Sequence, residues 1–147
     1  MSDAEPVVEA VYRKLGGRRV LGTEIASEAD LLRVVLGRIP LKALGAMQES
    51  GFSDREIEQF IIPSRTRRHR EAKKECLTVE ESDRLVRLAR IQALAEDVFG
   101  DRAKANKWLR ETLGILDGRS PLEMVRTETG ARIIEQILGK IAWGAAA

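Results

Sequence analysis

The 147-residue sequence has very few of the side chains that usually build catalytic or metal sites. It contains one cysteine, Cys76, and one histidine, His69. A single cysteine excludes an internal disulfide, and neither residue has a partner at metal-ligand spacing. A catalytic thiol needs a positioned base, and His69 lies seven residues away on a different predicted helix face. The sequence therefore predicts no metal, no cofactor and no cysteine chemistry.

Long apolar runs are also absent. No stretch approaches the length of a membrane-spanning helix, and the N-terminus begins with the acidic segment MSDAEP. A secretory signal would instead place basic residues before an apolar run. The lone cysteine suits a reducing compartment. We therefore expect a cytoplasmic protein with neither an export signal nor a membrane anchor.

Alternation of apolar and polar residues at period two, which is typical of strands, is not found over any convincing length, and neither are internal repeats. With 44% hydrophobic and 33% charged residues, the composition is that of a globular protein. The formal net charge is only +2, so any strongly basic region must be local. These patterns together predict an all-α fold.

Apolar residues at helical spacing mark the individual helices. They predict helices within 4–15, 27–37, 41–51, 54–62, 78–99, 103–113, 121–125 and 128–142. The second helix could be capped by Ser27 or Asp30, and a strand is the alternative there because LLRVVL is short. The segment RRVLGTE is expected to be a loop. The helix that ends before Gly100 is the longest and should link the two ends of the protein.

The stretch 51–74 combines two short helices, a corner and a cluster of cations. Ser53 and Glu56 have the spacing of a capping box at the start of the first helix, and Pro63 should stop that helix. Ser64 is expected to cap the second helix. From Arg65 to Glu75 this second helix carries a local formal charge of +4 and almost no apolar face.

A helix with so little to bury is expected to be displayed, and a helix-turn-helix displays its second helix to the major groove of DNA. The arginines would meet phosphates first, and one or two could contact guanine. The predicted DNA-binding residues are Ser64, Arg65, Thr66, Arg67, Arg68, Arg70, Lys73 and Lys74. The alternative is an ordinary solvated, charged surface helix.

Other candidate features have plain structural explanations. The carboxylate pairs Glu80–Glu81 and Glu96–Asp97 fit a helix cap and a solvated helix face, so the sequence predicts no enzyme activity. Trp108 is expected in the core, and Gly130 should allow a close approach of another segment. Trp143 lies so near the C-terminus that packing and a partner contact are equally open.

From Gly51 to Gly144, about two thirds of the chain, the sequence resembles the Xre/MbcA/ParS antitoxins, which are partners of RES-type and related toxins. The first half of the resemblance lies in Gly51-Phe52-Ser53, the Ser64-Arg65-Thr66 corner, the segment 77–88 with Glu81-Ser82, and the segment 95–100. The second half lies in Trp108-Leu109, Gly118, Pro121, Thr127, Gly130, the face from Ile133 to Ile141, and Gly144.

The resemblance implies an N-terminal Xre-like helix-turn-helix domain, joined by a long helix to a small C-terminal toxin-binding domain. The expected boundaries are 1–100 for DNA binding and dimerisation, and 101–147 for toxin binding. It further implies a homodimer that binds operator DNA, represses its own operon, and blocks the active site of a RES-type, NAD-degrading toxin. The residues placed at the toxin are Lys140, Trp143, Gly144, Ala145, Ala146 and Ala147.

Two hypotheses from different classes therefore stand at this point. The first is an antitoxin that inhibits its toxin stoichiometrically with the last helix and a small apolar tail, and binds DNA through the basic helix. The second is a stand-alone helix-turn-helix repressor whose C-terminal domain only dimerises. Truncation of the tail should separate them, because only an antitoxin would lose toxin neutralisation while it kept DNA binding.

Overall fold

The structure is a computed structural model that describes the backbone of residues 6–146 and the side chains of residues 6–144. Within this range the regular elements are helical, and an isolated antiparallel bridge joins Leu113 to Arg119. The predicted all-α fold is confirmed. The helices are α1 Val7–Lys14, α2 Gly17–Leu21, α3 Glu28–Leu36, α4 Lys42–Glu49, α5 Asp54–Phe60, α6 Ser64–Lys73, α7 Val79–Phe99, α8 Arg102–Arg110, α9 Pro121–Met124 and α10 Glu128–Ala146.

The described chain divides into two compact units, which are joined by α7. The N-terminal unit extends to Ala89, and the C-terminal unit begins at Arg90. The geometric division thus falls inside a continuous helix. The boundary between the DNA-binding and toxin-binding domains, expected after Gly100, is a division of function and not of packing. It stays a prediction.

The N-terminal unit packs α1 to α6 and the first half of α7 around an apolar core. Its largest fully buried side chains are Leu15, Ile39, Leu44, Met47, Ile57, Ile62, Leu77 and Leu85. The core also contains a polar tie, because the buried hydroxyl of Ser82 accepts a hydrogen bond of 2.9 Å from the backbone N–H of Ile39. This bond fixes the segment before α4 to the first turn of α7.

Two expectations for this unit are settled by the backbone. Ser27 is the cap of α3 and accepts a hydrogen bond from the N–H of Asp30, and the strand alternative for LLRVVL is wrong. The segment RRVLGTE is not a simple loop, because its first residues form α2. This short helix could begin there because Gly16 and Gly17 both take positive φ angles, of 104° and 63°, and redirect the chain.

The C-terminal unit contains the end of α7, then α8, a short 3-10 turn at Gly114–Leu116, α9 and α10. Helix α8 ends at Arg110, three residues before the predicted end at Leu113. Ser120 and Glu123 form a complete capping box around α9. The core of this unit includes Ala105, Leu109, Leu116, Leu122, Val125, Ala131, Ile134 and Leu138.

Gly130 lies in the first turn of α10, close to the end of α9. A Cβ atom at this position would stand 1.8 Å from the carbonyl oxygen of Met124, far inside van der Waals contact. The predicted close approach at Gly130 is therefore confirmed. The Gly130 N–H also donates a hydrogen bond of 2.9 Å to the hydroxyl of Thr127.

Candidate functional site

The corner before α6 is built by local capping. At the start of α5, the Glu56 N–H donates to the Ser53 hydroxyl over 3.1 Å, and the Ser53 N–H donates to the Glu56 carboxylate over 3.0 Å. The predicted capping box is thus confirmed. The predicted Ser64 cap is wrong, because Ser64 is already the first residue of α6 and Pro63 occupies the N-cap position with no side-chain cap.

Helix α6 contains no buried residue, as its sequence predicted. Its side chains nevertheless fall into two groups. The exposed group contains Arg65, Arg68, His69, Lys73 and the following Lys74, whereas Ser64, Thr66, Arg67 and Arg70 are half-buried. The predicted DNA-binding residues therefore lie on one helix, but on two different sides of it.

Arg70 faces inward and forms an ion pair with Glu81, with the two side chains only 14% and 8% exposed. Glu81 belongs to the capping box of α7, since it accepts a hydrogen bond of 2.8 Å from the N–H of Thr78 and donates its own N–H to the Thr78 hydroxyl over 3.1 Å. One carboxylate thus holds both the middle of α6 and the beginning of α7.

The charge of Glu81 is stabilised by these contacts. Burial acts to raise the pKa of Glu81, but the hydrogen bond from Arg70, the Thr78 N–H and the positive charge of Arg70 together lower that pKa below its ordinary value. Glu81 therefore stays ionised at neutral pH. Because loss of either partner would leave a buried charge unpaired, the Arg70–Glu81 pair fixes α6 in place.

Arg67 also points back toward the protein. Its guanidinium lies 3.2 Å from the Glu71 carboxylate and 3.7 Å from that of Asp54, and it donates to the side-chain oxygen of Gln48 over 3.3 Å. Arg67 thereby links α6 to the end of α4 and to the start of α5. Together with Arg70, it holds a helix that has no buried residue.

Two further arginines support this unit, and no pattern in the sequence marked them as candidates. Arg84 donates two hydrogen bonds, of 2.9 and 3.3 Å, to the carbonyl oxygen of Ile61 at the end of α5. Arg38 donates to the carbonyls of Leu77 and Cys76 over 2.8 and 3.2 Å. Their partners are backbone carbonyls distant in the chain, which leave no pattern in residue types.

On the outer side of α6, the exposed cations Arg65, Arg68 and Lys73 form no ion pair with another side chain among the described residues. Phosphate oxygens are acceptors that match guanidinium and ammonium donors. Because α6 follows α5 after a three-residue corner, the pair has the arrangement of a helix-turn-helix with its second helix exposed. This surface can bind a nucleic-acid backbone.

A second candidate surface lies at the end of α10. The tail from Trp143 was expected to be small and nearly featureless, but α10 continues through Ala146. Lys140, Trp143 and Gly144 are exposed, and the Trp143 side chain is 80% exposed. The backbones of Ala145 and Ala146 are helical, and Ala147 lies outside the described residues.

The other tryptophan has a structural role. Trp108 is half-buried, and its ring centroid lies 5.5 Å from that of Phe99 at an angle of 46°. Its neighbour Leu109 is fully buried. Trp108 thus packs from α8 against the end of α7, at the edge of the core and not fully inside it as expected.

No cluster of metal-binding side chains is found among the described residues. Over the same part of the chain, none of the helices has both the length and the apolar character needed to cross a bilayer.

Two ranges of the chain match known domain families. Residues 30–90 match the Antitoxin Xre-like helix-turn-helix domain, and residues 94–144 match the Antitoxin Xre/MbcA/ParS C-terminal toxin-binding domain. A helix-turn-helix domain joined by α7 to a toxin-binding domain defines an antitoxin of a toxin–antitoxin pair. The first match contains α6, and the second contains nearly all of the described part of α10.

Curated proteins confirm the family. The chain is 36% identical to Antitoxin Xre of Pseudomonas putida over 121 residues, which cover 82% of this chain and 76% of that protein. It is 37% identical to Antitoxin Xre of Yersinia enterocolitica over 56% of this chain and 57% of that protein. It is 29% identical to Antitoxin Xre of Photorhabdus laumondii over 86% and 87% of the two chains. The chain belongs to the Xre antitoxin family.

Proposed function

We propose that this antitoxin neutralises a RES-type, NAD-degrading toxin by covering the toxin's active site with the end of α10. In the same proposal, the antitoxin acts in the cytoplasm as a homodimer and represses its own operon through α6. The toxin-blocking part of the proposal rests on the exposed end of α10, at residues 140–144. These residues lie within the range that matches the toxin-binding domain family.

The shape of this end suits insertion into a cleft. After Lys140 and Trp143 the chain continues as Gly144, Ala145 and Ala146 in helical backbone, so the last turn is narrow. Trp143 offers a large apolar surface to a partner, and exposed tryptophans are frequent hot spots in interfaces. A narrow helix with one aromatic anchor could enter a nucleotide-sized pocket and exclude its substrate.

The DNA-binding part of the proposal is supported by the outer side of α6. Arg65, Arg68 and Lys73 are exposed there, while the inner side is occupied by ion pairs. A helix-turn-helix protein commonly binds as a dimer to two half-sites that are one DNA turn apart, which supports the homodimer. Ser64 and Thr66 lie next to the corner, at the N-terminal end of α6. In helix-turn-helix proteins, this end of the second helix usually contacts base edges.

The proposal is tested by co-expression of this chain with the protein encoded by the adjacent reading frame. Size-exclusion chromatography with light scattering would report the complex and its stoichiometry, and an NAD-consumption assay would report toxin activity. We expect a stable complex in which NAD loss is suppressed. Absence of a complex, with NAD untouched by the neighbouring protein, would contradict the antitoxin–RES pairing and favour a stand-alone repressor.

The role of the α10 end is tested by a stop codon after Ala142. Toxin neutralisation in a growth assay should weaken strongly, because Trp143 and the last helical turn are removed. Operator binding by the same variant should be retained and serves as its internal control. Unchanged protection against the toxin would show that the end of α10 does not block the active site.

A further inference from the structure

Ile115 is the most exposed large aliphatic side chain outside α10 among the described residues, at 78%. It lies at the centre of the 3-10 turn Gly114–Leu116, between α8 and α9. The next residue, Leu116, points into the core of the C-terminal unit and is only 5% exposed. The burial of Leu116 therefore directs Ile115 outward.

The turn that carries Ile115 is closed by backbone hydrogen bonds. The N–H groups of Leu116 and Gly118 both donate to the Leu113 carbonyl over 3.0 Å, and the Leu113 N–H donates to the Arg119 carbonyl over 3.1 Å. Asp117 and Gly118 take positive φ angles of 55° and 79°, which bend the chain back tightly. The position of Ile115 is thus fixed before any partner arrives.

Rigid display of a branched aliphatic side chain favours binding. Ile has few χ1 rotamers, so little conformational entropy is lost when it enters a pocket. Its exposed surface costs free energy in water and contributes nothing to the core. Single exposed aliphatic residues are common on proteins. This one, however, stands on a closed turn inside the domain that matches a toxin-binding family.

We propose that Ile115 is an anchor for the toxin, separate in the chain from the end of α10, and that it inserts into an apolar pocket on the toxin surface. The proposal rests on the proposed function, since it names a contact with the same partner. In this arrangement the α10 end blocks the active site, whereas the Ile115 turn contributes affinity. The partner surface that would accept it is a small apolar depression.

The experiment measures the dissociation constant between the purified antitoxin and the protein encoded by the adjacent reading frame, by biolayer interferometry. The variants are Ile115→Ala, which removes apolar surface only, and Ile115→Asp, which also adds charge. We expect Kd to rise about tenfold for I115A and at least about thirtyfold for I115D. Thermal unfolding should be unchanged, because Ile115 contributes little to the core.

Thr112 provides the matched control, since it is exposed three residues earlier in the same connection. Thr112→Asp adds the same charge without removal of apolar surface, and it should bind like the wild type. The inference is overturned if I115A and I115D bind normally, or if T112D loses as much affinity as I115D while I115A loses none. If the wild-type chain itself fails to bind the toxin, the proposed function fails instead.

Discussion

The two helices assigned to partners are held in place by opposite means. Helix α6 has no buried residue, and it is held through Arg70 to Glu81 and through Arg67 to Asp54 and Gln48. Helix α10 buries Ala131, Ile134 and Leu138 and approaches α9 closely at Gly130. One helix is fixed by charge, and the other is fixed by packing.

This difference follows from what each surface is expected to bind. A helix that contacts phosphates must be basic on its outer side. It can also carry cations on its inner side, because carboxylates of the same unit neutralise them in ion pairs. A helix that enters a protein cleft can keep an ordinary apolar inner face. We therefore expect α6 to respond to pH and to charge substitutions, and α10 to respond to changes of volume. Four predictions test this comparison.

The largest effect is expected from Glu81→Ala. This substitution leaves Arg70 half-buried without its partner and removes a capping box, and loss of one member of a buried ion pair costs about 3–5 kcal/mol. The free energy of unfolding of the N-terminal unit should fall by about that amount in urea titration. Glu80→Ala is the control, because Glu80 is exposed in the same helical turn, and its effect should stay within about 0.5 kcal/mol.

Next in size is Gly130→Ala. The new Cβ would clash with the Met124 carbonyl, so α10 must shift, at a cost of about 2–3 kcal/mol. Gly139→Ala lies in the same helix, where an added Cβ has no atom within 4 Å apart from its own helical backbone, and it should stabilise the helix by about 0.5–1 kcal/mol. Thermal unfolding of the two variants should therefore move in opposite directions. Equal shifts would mean that α10 is not fixed by close packing.

Acid should affect the N-terminal unit through Glu81. Because its pKa is lower in the folded than in the unfolded chain, Glu81 contributes stability that is present above its ordinary value of 4.5 and is lost as the pH falls through the lowered value. Urea midpoints measured between neutral pH and about pH 3 should fall accordingly. Glu81→Gln should be less stable at neutral pH and show a flatter profile. A profile as steep as that of the wild type would assign the acid sensitivity to other carboxylates.

Much of the fold could be predicted from the sequence because its signals are local. Caps such as Ser53–Glu56 and Thr78–Glu81 act over three residues, and the periodicity of α7 is long. The errors also have local causes. Helix α2 is only five residues long, which is too short for a periodic pattern. Ser64 is not a cap because Pro63 occupies the N-cap position of α6.

The sequence was sufficient to predict which helix carries the candidate site. It was not sufficient to predict which side chains of that helix are exposed. The basic residues of α6 identified the helix, yet the sequence could not show which arginines face inward. That depends on Glu81 and Gln48, which lie eleven residues after Arg70 and nineteen before Arg67. The exposed Ile115 was not selected either, because its exposure is set by the turn and not by its residue type.

The smallest expected effect is a change in the salt dependence of operator binding, and it distinguishes the inner from the outer side of α6. The logarithm of operator affinity should fall with the logarithm of salt concentration, with a slope of about −0.9 per phosphate contacted. If Arg67 and Arg68 both contacted phosphate, neutralisation of the two together would make this slope shallower by about two units. Since Arg67 is 22% exposed and paired with Glu71 and Asp54, the structure leads us to expect only about one unit, all of it from Arg68.

The single variants Arg68→Ala and Arg67→Ala show which of the two arginines causes the change in slope. Arg68→Ala should make the slope shallower by about one unit, because an exposed cation and its phosphate contact are lost. Arg67→Ala should weaken binding at every salt concentration without a change of slope, since it loosens α6 and removes no phosphate contact. Fluorescence anisotropy with labelled operator DNA over a range of salt concentrations measures both. Equal slope changes for the two variants would place Arg67 on the DNA, and the inner side of α6 would then be part of the interface.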